Sequence, residues 1–500
     1  MTDTVGKRIL VAGTGIAGAA SARALLAAGR EVTVYDSKHS PVADTLADHG
    51  ATVRTGEWDP AWLDDADQVV ISPGFPPHHP VALAAADRGI EVYSEPELAW
   101  RLRPAEAAPW LVVTGTNGKT TTTTMLSSML EAAGKRTAPL GNIGRALVTE
   151  AAGDYDVLAV ELSSYQLHWS RLLAPRAGAV LNLAADHLDW HGGFDAYAGA
   201  KTAAWRGDYA VVNRDDPLVS QLYGDREGTA VGFTLGAPRA GDFGVLDGYL
   251  VDNRTGSPRR ICALREVRPA GAHNAANALA AAALASTVGV EPQDMGRGLR
   301  SYSPEPHRNV VIADRDGVMW VDDSKGTNPH ATAAALDAYE SVVWIAGGQL
   351  KGVDVTDLVK RFGPKMRAAL LLGQDRAKIA EAFVRHAPDV PVTLFTSTEQ
   401  SVMREIAEAA RAAAREGDTV LLSPAAASFD MFSGYAQRGE VFAESVRGVL
   451  VLAPRRRNEW NRWQRAEQPR KARPIRAVHR QRPGRCALSS PSLWRRTTCC

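Results

Sequence analysis

The stretch Thr114-Gly115-Thr116-Asn117-Gly118-Lys119-Thr120-Thr121 decides how the centre of this chain folds. It follows an apolar run at residues 110–113, which predicts a buried strand. It opens a segment with helical character at residues 120–133, which stops at Gly134, a residue type common just beyond a helix C-terminus. The predicted order is therefore a buried strand, a glycine loop that holds a lysine, and a helix N-terminus.

Such a loop is typical of proteins that hold a nucleoside triphosphate. Its backbone N–H groups and the helix dipole face the phosphates, Lys119 neutralises their charge, and Thr120 can ligate Mg²⁺. The common P-loop spacing requires glycine at position 113, which is Val113 here, so this loop is a shorter variant. The alternative is a Gly/Asn turn with a surface lysine. The flanking strand and helix favour a nucleotide phosphate site.

Length and charge set the broad class. The 500 residues suggest about three domains, each large enough for a hydrophobic core. Residues 454–500 hold 14 Lys and Arg against 2 acidic residues, so of the net charge of +1 this segment carries +12 and residues 1–453 carry −11. Cys262 is the one cysteine before residue 454, which argues for a reducing cytosol. Neither a signal peptide nor a long apolar run is evident, so we expect a cytoplasmic protein without membrane insertion.

Strand candidates alternate with Ala-rich helical segments, which predicts an α/β protein with parallel sheets covered by helices. We expect a Rossmann-like N-terminal domain at residues 1–105, ending in a linker at 101–108, and a central P-loop-type ATPase domain at 106–305. A Rossmann-like C-terminal domain follows at 306–453. The predicted strands are Arg8–Ala12, 31–35, Gln68–Ile71, 156–160, 179–183, 318–321, 342–346, 369–372 and Thr419–Leu422. Ligands should bind at the carboxyl ends of these strands, where the unusual polar residues fall.

Residues 454–500 are expected to form a basic, disordered tail. Arginines alternate with Trp460 and Trp463, which would suit an RNA or a membrane surface. The segment has no helical or strand periodicity, however. We therefore favour a disordered extension, or a shifted reading frame continued past the natural stop, and we expect no nucleic-acid partner to be required.

A second glycine loop, Gly13-Thr14-Gly15-Ile16-Ala17-Gly18, follows the first predicted strand, and Asp36 ends the next one. This pattern matches the dinucleotide fingerprint and taken alone suggests an NAD-linked oxidoreductase. A helix N-terminus accepts any pyrophosphate, however, including that of a UDP-sugar. No hydride-transfer site is recognisable nearby, and an oxidoreductase has no use for the phosphate loop at residues 114–121. We therefore favour a UDP-sugar here.

Polar residues also follow the predicted strands of the central block. Glu161 comes just past the run at 156–160, where a Mg²⁺ ligand is expected, although it could instead cap the next helix. His187 could touch metal or phosphate, or be a satisfied structural histidine. Lys201 would ordinarily be a solvated helix lysine. The amides at 271–277 could read a base edge or simply cap an Ala-rich helix.

Together these motifs resemble those of the Mur ligases, the ATP-dependent amino-acid-adding enzymes of peptidoglycan synthesis. The shared marks are the loop at 114–120, Glu161 with Ser163-Ser164, His187, Lys201, His273-Asn274-Ala275-Ala276-Asn277 and His307-Arg308. Two further motifs, Asp323-Ser324-Lys325-Gly326-Thr327-Asn328 and Ser423-Pro424-Ala425-Ala426-Ala427-Ser428-Phe429-Asp430, look like those of the D-glutamate-adding members. The resemblance covers about residues 5–450 and leaves out the tail.

The resemblance implies a ligase that adds D-glutamate to UDP-N-acetylmuramoyl-L-alanine through an acyl phosphate and a tetrahedral intermediate, giving ADP and phosphate. Its expected partners are small molecules: this UDP-substrate, D-glutamate and ATP. It also implies Mg²⁺, expected as two ions, and a carbamylated Lys201. We expect a monomer. A folylpolyglutamate synthase is the related alternative, against which the loop at 13–18 and the motif at 323–328 speak.

Motif matching then implies a role for each site residue. The catalytic residues would be Lys119, Glu161, His187 and Lys201, and the metal ligands Thr120, Glu161, His187 and Lys201 as its carbamate. ATP would be bound by Gly115, Thr116, Asn117, Gly118, Lys119, Thr120, Thr121, Asn274, Asn277, Arg308 and Asp323. The UDP-substrate would be bound by Gly15, Ile16, Ser37, Lys38, Gly74, Asn142 and His187. D-Glutamate would be bound by Lys325, Thr327, Lys351, Ser428, Phe429 and Tyr435.

Two positions depart from the family pattern. Gly326 stands where alanine is common, a small change next to a ligand. Ala426 stands where many members have cysteine, so thiol chemistry at that position is not essential.

Overall fold

The computed structural model describes residues 4–224, 226 and 228–451, and the predicted tail at 454–500 lies outside them. Within these residues the strands form three sheets, each flanked by helices and each built from one consecutive part of the chain. We call these parts the first, second and third units.

The first unit has the strand order β3-β2-β1-β4-β5, with every neighbouring pair parallel. Its strands are β1 (Arg8–Ala12), β2 (Glu31–Asp36), β3 (Thr52–Thr55), β4 (Gln68–Ile71) and β5 (Glu91–Tyr93). Its helices are α1 (Ile16–Ala27), α2 (Pro41–Asp48), α3 (Pro80–Asp87) and α4 (Glu95–Leu102), with a 3₁₀ turn at Pro60–Leu63. Apolar residues fill both faces of the central strands, as expected when helices cover both sides.

The second unit has the order β14-β13-β12-β11-β10-β9-β6-β8-β7 and is parallel from β7 to β12. Its strands are β6 (Trp110–Thr114), β7 (Pro139–Gly141), β8 (Leu158–Glu161), β9 (Ala177–Val180), β10 (Tyr209–Asn213), β11 (Thr229–Phe233), β12 (Phe243–Leu246), β13 (Tyr249–Asp252) and β14 (Arg259–Ala263). Its helices are α5 (Lys119–Ala132), α6 (Leu147–Glu150), α7 (Ser164–His168), α8 (Leu188–His191), α9 (Phe194–Lys201), α10 (Pro217–Tyr223), α11 (Ala272–Ser286) and α12 (Pro292–Ser301). Short 3₁₀ turns lie at Thr202–Trp205 and Leu264–Glu266.

The third unit has the order β15-β16-β20-β17-β18-β19, in which only the β15–β16 pair is antiparallel among the described strands. Its strands are β15 (Val310–Arg315), β16 (Val318–Asp322), β17 (Val342–Gly347), β18 (Met366–Leu372), β19 (Val392–Leu394) and β20 (Thr419–Leu422). Its helices are α13 (Pro329–Asp337), α14 (Thr356–Phe362), α15 (Arg376–His386), α16 (Val402–Ala413) and α17 (Tyr435–Val451), with a 3₁₀ turn at Gly363–Lys365. The predicted α/β class and three-part organisation of the fold are confirmed.

Small residues let the helices of the second unit approach closely. Residues 278–285 of α11 are fully buried, and all but two of them are alanine. Where α12 crosses α5, a Cβ added at Gly298 would lie 2.5 Å from Met129 Cα. This packing fixes α5, whose N-terminus follows the phosphate-type loop.

Buried carboxylates on α4 join the first unit to the second. The Glu97 carboxylate accepts hydrogen bonds from the backbone N–H groups of Arg171, Leu172 and Leu173 at 2.9–3.0 Å. Arg101, whose side chain is 1% exposed, donates to Glu97 at 3.0 Å. The linker expected at 101–108 therefore begins later, because Arg101 lies within α4 and is hydrogen-bonded to Glu97 of the same helix.

Strand β9 also differs from its prediction. It ends at Val180, whereas the apolar pattern placed it at 179–183. Leu181 N–H still donates to Thr114 O of β6 at 2.9 Å, but Leu183 N–H donates to the Asp216 carboxylate at 3.0 Å and not to a neighbouring strand. Within the described residues, no helix is both long and apolar enough to span a bilayer.

Candidate active site

The loop between β6 and α5 has the backbone that its glycines require. Gly115 has φ +155° and Gly118 has φ +82°, both in the region that favours glycine. A Cβ added at Gly118 would lie 2.4 Å from Asn277 Oδ1, so the loop also packs closely on α11. Gly118 and Lys119 keep partial exposure and are not enclosed in the core.

Lys119 folds back over this loop. Its Nζ donates to Gly115 O at 3.0 Å and to Thr116 O at 2.9 Å. Burial lowers the pKa of Lys119, the carboxylates of Glu161 and Asp186 oppose this, and the positive charges of Arg308 and Lys325 lower it further. Residues of the third unit thus act on the lysine of the second.

Glu161 is the last residue of β8 and is 2% exposed. Thr120 Oγ1 donates to its Oε2 at 2.6 Å, and Asn142 Nδ2 donates to its Oε1 at 2.7 Å. The alternative in which Glu161 caps a helix is wrong, because Ser163 caps α7 in a capping box with Gln166. Three predicted site residues therefore meet at one carboxylate.

Lys201, at the end of α9, is 2% exposed and not solvated. Its Nζ donates to Gly115 O at 2.9 Å and lies 4.6 Å from the centre of the Tyr197 ring. Burial, together with the nearby charge of Lys119, brings the pKa of Lys201 well below its ordinary value. Two lysine ammonium groups thus converge on one carbonyl oxygen.

Sequence reasoning missed two residues that shape the loop. Asn182 Oδ1 accepts the Asn117 N–H at 2.8 Å, and Asn182 Nδ2 donates to Asn117 O at 3.0 Å. The Tyr197 hydroxyl lies 2.7 Å from Thr116 Oγ1. The available signals were a lone asparagine after a strand, and a tyrosine four residues before Lys201 and hence on the same helix face.

His187 has a left-handed backbone, with φ +53°, at the start of α8. Its ring packs 4.7 Å from that of Tyr165, and its Nε2 lies 3.4 Å from Asp186. Burial lowers the pKa of His187, Asp186 opposes this, and the charges of Lys119 and Lys201 add to it. The histidine side chain keeps 45% of its exposure, so it remains open to a ligand.

The N-terminus of α11 brings two predicted asparagines together. Asn277 Nδ2 donates to Asn274 Oδ1 at 3.2 Å, and both residues are buried. Asn274 Nδ2 lies 3.0 Å from His273 Nε2. These contacts hold Asn274 against Asn277, which lies beside Gly118, and neither asparagine is the N-cap of α11, since that position is Gly271.

The first unit places its predicted residues at the carboxyl edge of its sheet. Gly15 precedes the first turn of α1, and Ile16 is 84% exposed there. Asp36 Oδ2 accepts from both the N–H and the hydroxyl of Thr14, at 2.7 and 2.8 Å. The pKa of Asp36 is lowered, because these hydrogen bonds outweigh the opposing effect of its burial. Thus Asp36 orders the glycine loop. The other predicted residues follow β2 and β4: Ser37, Lys38 and Gly74.

Asp323 follows β16 and is 9% exposed. Its carboxylate accepts from Ser423 Oγ at 2.7 Å and from the Asn309 N–H at 3.1 Å. Burial raises the pKa of Asp323 to about 7, although these hydrogen bonds oppose the shift. A Cβ at Gly326 would lie 2.6 Å from Asp323 Oδ2, so the glycine at this position leaves room for the carboxylate.

The predicted amino-acid pocket lies on neighbouring loops of the third unit. Lys325 Nζ donates to the Tyr435 hydroxyl at 3.1 Å. Lys351, with φ +52°, has its ammonium 6.0 Å from the centre of the Phe429 ring, and Phe429 is 67% exposed. Ser428 is buried, Thr327 is half-buried, and Arg308 is half-buried beside Asn309.

The donor set can be tested against the expected metal. No cluster of three His, Cys, Asp or Glu side chains within the described residues is placed to hold a metal ion. The chain offers instead the Glu161 carboxylate, the Thr120 hydroxyl and the open His187 ring. Hard oxygen donors and few protein ligands fit Mg²⁺, which keeps water and phosphate in its coordination sphere. The residues present therefore fit that ion.

Models of one protein family match most of this chain. They are described as "Mur ligase MurD-like, N-terminal domain" at residues 7–94, "Mur ligase middle domain" at 113–285 and "Mur ligase, glutamate ligase domain" at 307–426. Each match falls within one of the three units.

Curated relatives match most of the chain and nearly all of their own length. UDP-N-acetylmuramoylalanine--D-glutamate ligase of Thermobifida fusca is 50% identical over 462 residues, covering 89% of this chain and 99% of the relative. The enzyme of the same name from Streptomyces coelicolor is 47% identical over 462 residues, covering 88% and 98%.

Solved structures show the same fold at low identity. MurF from Acinetobacter baumannii superposes with a TM-score of 0.58 at 17% identity, covering 88% of this chain and 93% of that one. UDP-N-acetylmuramate-alanine ligase MurC from Thermotoga maritima superposes with a TM-score of 0.54 at 18% identity, covering 88% and 99%. The resemblance drawn from the motifs is thereby confirmed: the chain belongs to the Mur ligase family.

Proposed function

We propose that the protein is an ATP-dependent ligase that joins D-glutamate to UDP-N-acetylmuramoyl-L-alanine in peptidoglycan precursor synthesis. One observation carries this proposal: the loop with Lys119 lies beside the Thr120–Glu161 pair and within the electrostatic reach of Arg308 and Lys325. A phosphate site and the edge of the third sheet thus face each other. Relatives named for this reaction match 89% of the chain.

The reaction needs activation of a carboxylate, since oxide is a poor leaving group. An oxygen of the L-alanyl carboxylate attacks the γ-phosphorus of ATP, ADP leaves, and an acyl phosphate forms. The D-glutamate amine then attacks the acyl carbon, loses a proton, and expels phosphate from the tetrahedral intermediate. Such phosphoryl transfer asks the protein mainly for positioning and charge neutralisation.

The nucleotide is assigned to the loop of the second unit. The N–H groups from Gly115 to Thr121 would hold the phosphates, and Lys119 would leave its carbonyl partners to neutralise them. Asn277 lies against Gly118 and is hydrogen-bonded to Asn274, and these two side chains would bind adenine.

On the third unit, Arg308 would bind phosphate and Asp323 would bind the ribose hydroxyls. The Asp323 carboxylate is held by Ser423 and by the Asn309 N–H, so it would meet the ribose without rearranging.

Magnesium, when bound, would neutralise the phosphates and hold them in line for transfer. Thr120, Glu161 and His187 are the residues that would hold it. We expect two ions, one near Thr120 and Glu161 and the other near His187. The Thr120 hydroxyl donates its hydrogen to Glu161, which leaves the lone pairs of its oxygen available to the ion.

We also propose that Lys201 is carbamylated. Its Nζ shares Gly115 O with the ammonium of Lys119, which crowds two positive charges against one acceptor. The lowered pKa of Lys201 favours loss of one proton to give the neutral amine, and addition of CO₂ to that amine with release of a second proton forms an anionic carbamate. The carbamate relieves the crowding and adds oxygen donors beside His187 and Glu161.

The UDP-substrate is assigned to the first unit. Its pyrophosphate would meet the N-terminus of α1 at Gly15 and Ile16, and its uridine would meet Ser37, Lys38 and Gly74. The sugar and L-alanyl end would extend to Asn142 and His187, so that the carboxylate reaches the second unit. Substitution of Ser37 or Lys38 should raise the KM for the UDP-substrate and leave that for ATP unchanged, which would support these assignments.

D-Glutamate is assigned to the third unit. Its two carboxylates require cations and hydroxyl groups, which Lys351, Lys325, Thr327 and Ser428 supply. Phe429 and Tyr435 would cover the side chain of the amino acid. Both rings are partly exposed, as expected of side chains that would cover a bound ligand.

We infer that the enzyme works as a monomer in the cytoplasm, where ATP and UDP-sugars are available, and requires no nucleic acid. The proposed ATP-phosphate and D-glutamate sites lie on different units. Catalysis therefore requires the third unit to close on the second.

Phosphate release is the decisive measurement. Purified protein, ATP, Mg²⁺ and UDP-N-acetylmuramoyl-L-alanine are combined with D-glutamate, L-glutamate, L-alanine or diaminopimelate in turn. We expect release that depends on D-glutamate and on the UDP-substrate together. Release with another amino acid in place of D-glutamate would contradict the assigned substrate. A change in nicotinamide absorbance after addition of NAD would instead favour an NAD-linked oxidoreductase.

A further inference from the structure

Two of the largest fully buried side chains in the described residues are charged: Lys201 and Arg438. Lys201 belongs to the site above. Arg438 does not, and it has no place in the proposed reaction. It lies one turn into α17 and is 1% exposed. A guanidinium is costly to bury, so its surroundings must compensate for the lost hydration.

The described hydrogen bonds of Arg438 all go to neutral oxygens. Its Nε donates to Ser324 Oγ at 3.0 Å and its Nη2 to Ser324 O at 2.8 Å. Its Nη1 donates to Ala426 O at 3.2 Å and to Gly347 O at 3.4 Å. These acceptors lie at or just beyond the ends of β16, β20 and β17, which are neighbours in the sheet. One guanidinium thus ties three adjacent loops together.

The same three loops carry the amino-acid pocket. Thr327 lies three residues after Ser324, Lys351 four residues after Gly347, and Ser428 two residues after Ala426. A small shift of any loop would change the spacing of the groups that face the two carboxylates of D-glutamate.

The positive charge of Arg438 also fits a substrate that carries two carboxylates, as D-glutamate does. Burial lowers the pKa of Arg438 to about 10, with Asp430, Asp322 and Asp323 opposing, so it remains a cation at neutral pH. Asp322 is itself engaged by His307 Nδ1 at 2.6 Å. A cation under the pocket and out of water acts at longer range than one at the surface.

We propose that Arg438 is a positioning residue for the amino-acid substrate: it sets the spacing of the three pocket loops and supplies positive potential from beneath, without touching D-glutamate. The inference rests on the proposed function. The competing view is that Arg438 stabilises the third unit and nothing more.

Two variants separate geometry from charge. Arg438→Lys keeps the charge and loses the planar fork, whereas Arg438→Met keeps much of the volume and loses both. We expect Arg438→Met to raise the KM for D-glutamate by about tenfold or more and Arg438→Lys by a smaller factor, with the KM for ATP changing by less than about threefold in each. Arg447→Lys and Arg447→Met, at an exposed position of the same helix, should leave all three KM values unchanged.

The outcomes divide cleanly. An unchanged KM for D-glutamate, or equal rises for all three substrates, would overturn the inference in favour of a purely structural role. If the Arg438 variants do not fold, Ser324→Ala decides, because it removes one acceptor of the fork. A selective rise in the KM for D-glutamate supports the inference, and no rise overturns it. If the unaltered protein releases no phosphate with D-glutamate, the proposed function fails instead.

Discussion

Lys119 and Lys201 come from different helices and meet at a single acceptor, Gly115 O, at 3.0 and 2.9 Å. Burial lowers the pKa of both lysines, and the charge of Lys119 lowers that of Lys201 further. An anion bound between the two ammonium groups would stabilise both charges and raise both pKa values. This is the local arrangement expected of a site built for phosphate.

Replacing Lys119 tests that arrangement. We expect Lys119→Ala to reduce D-glutamate-dependent phosphate release by about 100-fold or more, because the developing phosphate charge loses its cation. Phosphate release and trapping of the acyl phosphate measure the loss. Lys360→Ala, at an exposed lysine of α14, is the control and should retain full activity. Normal ATP-dependent ligation by Lys119→Ala would remove the basis of the assignment.

The carbamate is tested by chemical rescue. We expect Lys201→Ala to be inactive and to regain activity with added formate or acetate, since a free carboxylate can occupy the space of the carbamate. Lys119→Ala, which loses a cation, should gain nothing from the same additions. A Lys201→Ala enzyme with unaltered activity and no response would exclude a carbamate role.

The close approach of Gly118 to Asn277 gives a third test. Gly118→Ala places a methyl group 2.4 Å from Asn277 Oδ1, whereas Gly134→Ala, at a similar φ of +74°, has no atom within 4 Å of its Cβ. Both variants should lose about 1 kcal/mol of unfolding free energy from the left-handed backbone. Only Gly118→Ala should also raise the KM for ATP. Denaturant unfolding and steady-state kinetics measure the two effects, and equal KM values would contradict the Asn277 assignment.

For single residues, the sequence predicts which chemical groups belong to the site better than it predicts the burial and the contacts of those groups. The Lys119 loop and Glu161 could be found because glycines, a lysine and an acid stand at strand ends. The burial of Lys201 could not, since nothing in 197–201 indicates that this helix packs beneath the loop. Asn182 was missed because its amide acts on the backbone of a loop 65 residues away in sequence.

Among the secondary structure elements, helix α4 carries a buried carboxyl group whose pKa is strongly raised. Glu95 is 2% exposed, and its Oε1 accepts the Val148 N–H at 2.6 Å. Burial raises the pKa of Glu95 to about 7, with the backbone N–H groups of Val148 and Leu147 opposing. Since α4 belongs to the first unit and α6 to the second, this carboxyl lies at their junction.

The sign of its effect on stability follows from linkage. A carboxyl whose pKa rises on folding binds its proton more tightly in the native state, so the free energy of unfolding falls as pH rises from 4.5 to about 7. Glu95→Gln removes this proton and keeps an acceptor for Val148. The stability of the variant relative to the native chain should therefore improve by up to ~3 kcal/mol between about pH 5 and about pH 8. Urea unfolding at the two pH values measures it.

Glu57→Gln, at an exposed carboxyl of the first unit, is the matched control and should show no such pH-dependent gain. If Glu95→Gln changes stability by the same amount at both pH values, the carboxyl is already charged in the native state and the argument from burial is wrong.

The strands show where pattern reasoning succeeds. β1, β4 and β20 match their predicted bounds because each is an apolar run in a parallel sheet, buried on both faces. The antiparallel strands β12 to β14 were not predicted. They have four or five residues each, and their short apolar stretches are interrupted by Gly244, by the turn at Gly248 with φ +76°, and by charged residues such as Asp252.

Across the whole molecule, the expected ligands are divided among three sheets. The loops proposed for the pyrophosphate and the triphosphate, and the proposed amino-acid pocket, lie at the carboxyl edges of the first, second and third sheets, respectively. The first two units are joined by the buried Glu97 and Arg101 of α4. The third meets the site through Arg308 and Lys325, which act on Lys119 by charge.

That difference in attachment predicts which unit moves. In the α4 junction the Glu97 carboxylate is hydrogen-bonded by Arg101 and by three backbone N–H groups, so the junction should stay rigid. The charges of the third unit, in contrast, repel Lys119 until phosphates bind between them. We therefore expect the protein to become more compact when the UDP-substrate, a non-hydrolysable ATP analogue and D-glutamate are added together. Small-angle X-ray scattering measures the radius of gyration.

The UDP-substrate alone, which would bind to the first two units, should produce little change in the radius of gyration, because no phosphate then bridges Lys119 and Arg308. An unchanged radius with all three ligands bound would mean that the third unit does not close, and the triphosphate would then have to bind without Arg308 and Asp323.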